Sequence, residues 1–234
     1  MGTVLEMRTQ LLSVLCAITL GACGNAPDIQ TARAGTQSLT ALFRGKTTES
    51  PIGANPNDPA IKAGILALRA GMQKDGQPVI LASNKSLKFG TFLAPFGGSN
   101  GVITWSSTGY QMISLKDGVM VATRGFGPDL MSSVMPNIDT IAAAQDTTQR
   151  RYSYLDGGDQ PQSQDYSCIL APAGSESIEV VGLTFVTRKV TEACSGDAGS
   201  FTNEYWFDGG TRLRQSKQFI APGLDNMSIQ RVID

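Results

Sequence analysis

Apolar and polar positions alternate in short runs over most of the chain, and the clearest runs lie between Gly101 and Ser133. There Thr108-Gly109 and Asp117-Gly118 separate Val102–Ser107, Tyr110–Lys116 and Val119–Thr123. Xaa-Gly pairs supply the positive φ that two-residue hairpin turns need, so the spacing predicts a three-stranded antiparallel meander. Two-residue turns at both places would set Lys116 against Val119, Leu115 against Met120 and Ile113 against Ala122. They would likewise set Thr104 against Ile113 and Val102 against Leu115. Side chains alternate along a strand, so Val102, Ile113, Leu115, Met120 and Ala122 are expected on one face, and Ile103, Trp105, Met112 and Val121 on the other. Neither face is purely polar, which points to a curled sheet or barrel covered in part on both sides.

The same signals recur elsewhere. Ile61–Met72 suits a helix by composition, but its place before a hairpin signal at Asp75-Gly76 leads to a strand over Ile65–Arg69. Further strands are expected at Val79–Ser83, Leu87–Pro95, Arg151–Leu155 and Tyr166–Leu170, then along Ser177–Ala193. Phe201–Phe207 and Arg212–Ile220 should pair around Asp208-Gly209-Gly210, with Met227–Val232 closing the domain. Residues 97–101 and the stretch from Gly158 to Gln164 read as loops. Pro128–Met131 and Asn137–Ala144 read as short helices parted by Pro136, and Ser38–Phe43 as another. The expected fold is all-β: an antiparallel barrel-like or strongly curled sheet with one or two short helices in its connections.

The N-terminus has a different pattern. One arginine precedes an apolar run from Leu11 to Leu20, too short to span a bilayer as a mature helix, and small residues follow. This is a secretory leader; Glu6 is foreign to such a segment, which leaves both Met1 and Met7 open as its start. Leu20-Gly21-Ala22-Cys23 resembles a bacterial lipobox, which implies cleavage before Cys23 and acylation of its thiol and new amine. Several acyl chains, at about 0.8 kcal/mol per buried methylene, form a stable anchor. Gly24, in place of the aspartate that marks inner-membrane retention, directs the expectation to the outer membrane, with the domain facing the periplasm. The organisation expected is a signal peptide over 1–22, a lipidated tether over 23–37 and one β-rich domain over 38–234.

Composition narrows the chemistry. Charged residues make up 17% of the 234 and the net charge is −1, so nothing in the chain marks a nucleic-acid footprint. The chain has no histidine, which removes the commonest general base, serine–histidine triads and most zinc sites. Cys16 falls in the leader. Cys168 and Cys194 remain as an even pair in an oxidising compartment, for which a disulfide is the simplest reading and a metal site the poorer one. No cofactor is called for.

Several stretches carry a resemblance. They are Gly101-Val102-Ile103-Thr104-Trp105, Leu115 with Asp117-Gly118, and Val121–Gly125 followed by Asp129-Leu130. Further on come Tyr166-Ser167-Cys168, Glu192-Ala193-Cys194, Phe201-Thr202-Asn203 with Tyr205-Trp206, then Arg214, Ser216, Gln218 and Pro222-Gly223. In order and spacing the chain resembles the YjbF-type group 4 capsule lipoproteins from about Ile61 to the end. Phe219 departs from the tryptophan usual there. The resemblance implies a barrel-like domain at the outer membrane that acts with polysaccharide-secretion machinery, and it brings no catalytic residues.

Three functional readings follow. The first is a non-enzymatic accessory factor in capsule or exopolysaccharide assembly or export, with the membrane, envelope proteins and polysaccharide as partners. The second is a carbohydrate-active enzyme using two carboxyl groups, for which Asp117, Asp129, Asp156, Asp159 and Asp208 qualify by type. Asp117, Asp156 and Asp208 each precede a glycine, however, where aspartate serves a turn. Ser216-Lys217 would point to opposite faces of a strand. The third reading is a carrier of lipid or polymer in a barrel cavity. Trp105 is assigned to the core. Tyr205 and Trp206 must point oppositely, which marks one of them for contact with a ligand or partner.

Overall fold

The computed structural model describes residues 59–234. The leader, Cys23, the tether, the Ser38–Phe43 segment and the domain boundaries drawn at 22, 37 and 38 lie outside the described residues. Helix α1 (Pro59–Asp75) precedes twelve strands. The first five are β1 (Val79–Asn84), β2 (Phe89–Ser99), β3 (Val102–Ser106), β4 (Met112–Lys116) and β5 (Val119–Arg124). After β6 (Ser132–Val134) comes α2 (Ile138–Ala143), then β7 (Thr147–Leu155), β8 (Pro161–Val180) and β9 (Leu183–Gly196). The chain ends with β10 (Gly199–Phe207), β11 (Leu213–Gln218) and β12 (Met227–Ile233).

All twelve strands form one antiparallel sheet in the order β5-β4-β3-β2-β1-β12-β11-β10-β9-β8-β7-β6. Neighbours are consecutive in the chain except at the β1–β12 seam, so the topology is an up-and-down meander opened at a new point. The two ends approach through the bend at 125–131: the Thr123 amide donates to the Leu130 carbonyl (2.8 Å) and the Ser133 hydroxyl to the Met120 carbonyl (3.1 Å). The sheet is thereby a near-closed barrel.

Its interior is packed. Ile80, Leu93, Trp105, Ile113, Leu115, Met120, Tyr152, Tyr166 and Ile229 belong to one buried cluster. Phe201 and Phe219 stack at 4.1 Å between centroids, with Tyr152 and Tyr166 edge-on to both. A second cluster around Val119, Leu170, Val190, Tyr205 and Phe207 is completed by Ile141 of α2. That helix is capped by Asn137, whose side-chain oxygen accepts from the Thr140 amide at 2.8 Å. A third cluster lies outside the barrel wall, where Leu68 and Met72 of α1 cover Val79, Trp206 and Val232.

Seven expectations require correction. Ile65–Arg69 is helical: Leu68 and Met72 fall one turn apart on a single buried stripe, a spacing only a helix brings together. The β3–β4 register is shifted by one, because the connection is wider than Thr108-Gly109. The Ser107 hydroxyl accepts from the amides of Gly109 (3.1 Å) and Gln111 (3.2 Å), and Tyr110 takes the positive φ of 66°. Trp105 therefore lies opposite Ile113, and Ile103 opposite Leu115. On the other side Leu115 does pair with Met120, but a bulge then sets Ser114 against Ala122 and Ile113 against Thr123. The result puts Trp105 on the same buried face as Ile113 and Leu115. Finally, residues 97–99 and 161–164 are strand, Pro128–Met131 is a bend leading to β6, and the run Ser177–Ala193 is broken at Val181-Gly182.

Candidate functional site

Strand β7 sends Thr148, Arg150, Tyr152 and Tyr154 into the barrel and leaves Gln149 and Arg151 outside. A guanidinium on the inward phase of a strand must be paired or its burial would cost several kcal/mol. Glu192 on β9 meets it, directly opposite Asn203 on β10. The Glu192 carboxylate has no solvent exposure. Its Oε1 accepts from Arg150 Nε (2.7 Å) and from the Thr148 hydroxyl (3.4 Å). Its Oε2 accepts from Asn203 Nδ2 and the Tyr205 hydroxyl, both at 2.9 Å. Arg150 also donates to the hydroxyls of Tyr205 (2.8 Å) and Tyr152 (3.4 Å), and Asn203 Oδ1 takes the Phe219 amide at 2.7 Å.

Burial alone would raise the Glu192 carboxyl, but the Arg150 charge and these hydrogen bonds outweigh it and hold the group below its ordinary value. Arg150 also feels burial first, which lowers it. The Tyr205, Tyr152 and Glu192 oxygens reverse that and raise it. Burial likewise drives the Tyr205 hydroxyl well above the usual range. The cluster is thus a locked ion pair with its phenols protonated. It is saturated and closed to solvent, so its chemistry is cohesion: it fixes β7, β9 and β10 to one another from inside.

Two more devices tie strands together. Gln218 on β11 accepts from the Met120 amide (2.8 Å) and donates to the Gly118 carbonyl (2.9 Å) and the Ser216 hydroxyl (2.8 Å), which holds the β4–β5 turn. Cys168 and Cys194, opposite each other in the β8–β9 ladder, are joined in a disulfide with Cα atoms 4.0 Å apart. Their sulfurs lie near Glu192, yet the disulfide leaves no thiolate for a metal, and Arg150 already neutralises the carboxylate.

Three of the candidate carboxylates, Asp129, Asp156 and Asp159, border one open cleft, while Asp117 and Asp208 lie apart from it. Asp117 occupies the β4–β5 turn at φ 52°. Asp129 accepts from the Gly125 and Phe126 amides and the Thr123 hydroxyl, and Asp156 accepts from the Gly158 and Gln160 amides; both fold their own loops. Asp159 sits in the β7–β8 turn at φ 59°. Asp208 is bound by Arg214 at 2.6 Å. Ser216 points inward and Lys217 outward toward Glu204, so they do not act together.

Tyr205 and Trp206 do point oppositely, but both are buried. Tyr205 belongs to the Glu192 network. Trp206 is covered by α1, donates its indole N–H to Glu176 (2.9 Å) and carries Lys189 over its ring at 4.7 Å. The accessible ring expected from alternation alone is absent because a helix covers the outer wall. The Arg150 network was missed for a related reason. Its signal was the inward phase Arg150, Tyr152, Tyr154, which places a charge in line with two aromatics.

An opening remains at the barrel end that holds the β4–β5 turn. A cavity of about 140 Å³ lies there between β3–β4 and β11–β12, lined by Trp105, Leu115 and Ile229 and by Arg214, Gln215 and Arg231. It is well below the roughly 300–1,000 Å³ of pockets that enclose larger ligands. A second, more open cleft of about 540 Å³ lies between the bend at 125–131, the β7–β8 turn and Ala221-Pro222, bordered by Asp129, Asp156 and Asp159.

The architecture defines a class: a near-closed antiparallel barrel domain with a cross-linked polar interior. The family described as group 4 capsule polysaccharide lipoprotein gfcB, YjbF matches residues 72–232, and the chain belongs to this family of outer-membrane lipoproteins. The fold is similar to the crystal structure of the hypothetical lipoprotein YmcC from Escherichia coli (K12), with a TM-score of 0.63 at 14% identity over 86% of this chain and 95% of that one. No curated protein matches the chain.

Proposed function

We propose that the protein is a non-enzymatic accessory lipoprotein of capsule or exopolysaccharide assembly and export. In this reading acyl chains on Cys23 hold it at the outer membrane, and it works through contacts with envelope proteins of the export machinery. The observation that carries it is the family match, which runs from the end of α1 into β12 and so covers almost the whole barrel. The interior supports it. Glu192, Asn203, Tyr205, Ser216 and Gln218, all part of the sequence resemblance, are spent on one another and on the backbone. Such residues hold a scaffold, and the outer surface is left for partners.

The test is export in cells. Deletion is expected to abolish or sharply reduce surface polysaccharide. A Cys23→Ser chain should accumulate unacylated and fail to restore it, although its barrel folds. Normal export from the deletion strain would refute the accessory role. Pull-down of the intact lipoprotein from detergent extracts should bring envelope export components with it.

A further inference from the structure

The open barrel end has a chemistry that the family assignment does not explain. A cavity of about 140 Å³ is close to the size known to hold one six-membered ring. Its lining has an apolar and a polar part. Ile103, Trp105, Leu115, Ile80 and Ile229 are apolar, and Ile103 is the exposed one among them. Ser216, Arg231 and Asp117 are polar; Gln215 also borders the cavity, but its side chain shares the outer face with Trp206 and accepts from Gln230 Nε2 at 2.6 Å.

The charges largely cancel. Arg214 also reaches the cavity, but Asp208 binds it at 2.6 Å and Asp234 at 3.3 Å, and it donates to the Arg231 carbonyl at 3.1 Å. Arg231 is about one-third exposed and its nearest carboxylate, Asp234, is 3.9 Å away. Its guanidinium keeps donors to give, while Asp117 brings acceptors to the same cavity. A lining with one apolar part and one part of mixed donors and acceptors is what a pyranose presents in mirror image: a C–H face and a rim of hydroxyls, each of which both donates and accepts.

We infer that this cavity binds a single neutral pyranose unit, with its C–H face toward Ile103 and Trp105 and its hydroxyls toward Arg231 and Asp117. The inference rests on the polysaccharide role proposed above and names where the glycan would touch the protein.

The chain has two tryptophans, and only Trp105 lines the cavity. Tryptophan emission of the acylated lipoprotein in detergent can therefore be titrated with methyl glucoside and methyl galactoside, with glucuronate, and with cyclohexanol as an apolar ring. A saturable change with at least one neutral pyranoside is expected, and it should vanish in Trp105→Phe. Asp117→Asn keeps a residue that tolerates positive φ. It should weaken binding on the order of tenfold, as loss of a charge-assisted bond does, with an unchanged unfolding midpoint. No saturable response to either pyranoside overturns the site. Equal binding of cyclohexanol, or a response to glucuronate only, overturns the ligand class. Export in the deletion strain is unaffected by any of these results, so this inference and the accessory role fail separately.

Discussion

Arg150 and Arg151 are neighbours on β7, and each meets a carboxylate at nearly the same distance: Glu192 at 2.7 Å and Asp165 at 2.6 Å. The first pair is 1% and 0% exposed, the second 56% and 62%. Strand alternation alone separates them. Inside, water cannot replace a lost partner, so each group depends on the other and on Asn203, Tyr205 and Thr148. Outside, water and salt compete for both ends, and the pair contributes little even with good geometry. A distance therefore says little about an ion pair until the face of the strand is known.

The strongest break is Glu192→Leu, which leaves Arg150 buried and unpaired. Unfolding in urea should show a loss of about 3–5 kcal/mol, or no folded protein at all. Glu192→Gln sharpens the point through pH. The folded carboxyl lies below its unfolded value near 4.5, so its contribution is complete above that pH and fades as pH falls through the folded value. The acid side of the stability profile should accordingly be flatter in Glu192→Gln than in the parent, when each is compared with its own neutral-pH stability.

The disulfide comes next. Its loop spans 26 residues, and replacing both Cys168 and Cys194 by alanine should lower stability by roughly 3.5 kcal/mol, with loss of the mobility difference between reduced and oxidised samples on gels. Gln218→Leu keeps the volume but abandons the Met120 amide and the Gly118 carbonyl. A cost of about 1–3 kcal/mol is expected, with faster hydrogen exchange at Met120. Asp165→Asn is the smallest: the unfolding midpoint should not move. A large effect there would overturn the contrast between the two faces.

Much of this fold was legible in the residues. Asp117-Gly118 and Asp208-Gly209 marked real hairpins, and Asn137 capped a real helix, because local backbone chemistry decides those features. Trp105 was rightly given to the core, although the expected register set it on the face opposite Ile113. Ser107 capturing two amides, and the bulge at Val121, each move the ladder by one residue without altering composition. The α1 segment misled because its place beside a turn outweighed the Leu68–Met72 spacing. The interior network was the least legible part. Glu192 and Asn203 lie eleven positions apart in sequence and face each other only once β9 and β10 are in register.

The seam between β1 and β12 has a consequence for how the molecule is made. A ribosome releases β1 near the start of the domain and β12 last, yet the two are partners at five positions. For the whole of synthesis in between, β1 shows a bare edge that any other extended chain can join. Closure waits on a contact between distant parts of the sequence, the slowest kind to form. The seven residues from Met227 to Ile233 thus act as a clasp. A chain that stops short of them would retain most of its side-chain core and still be an open, adhesive sheet.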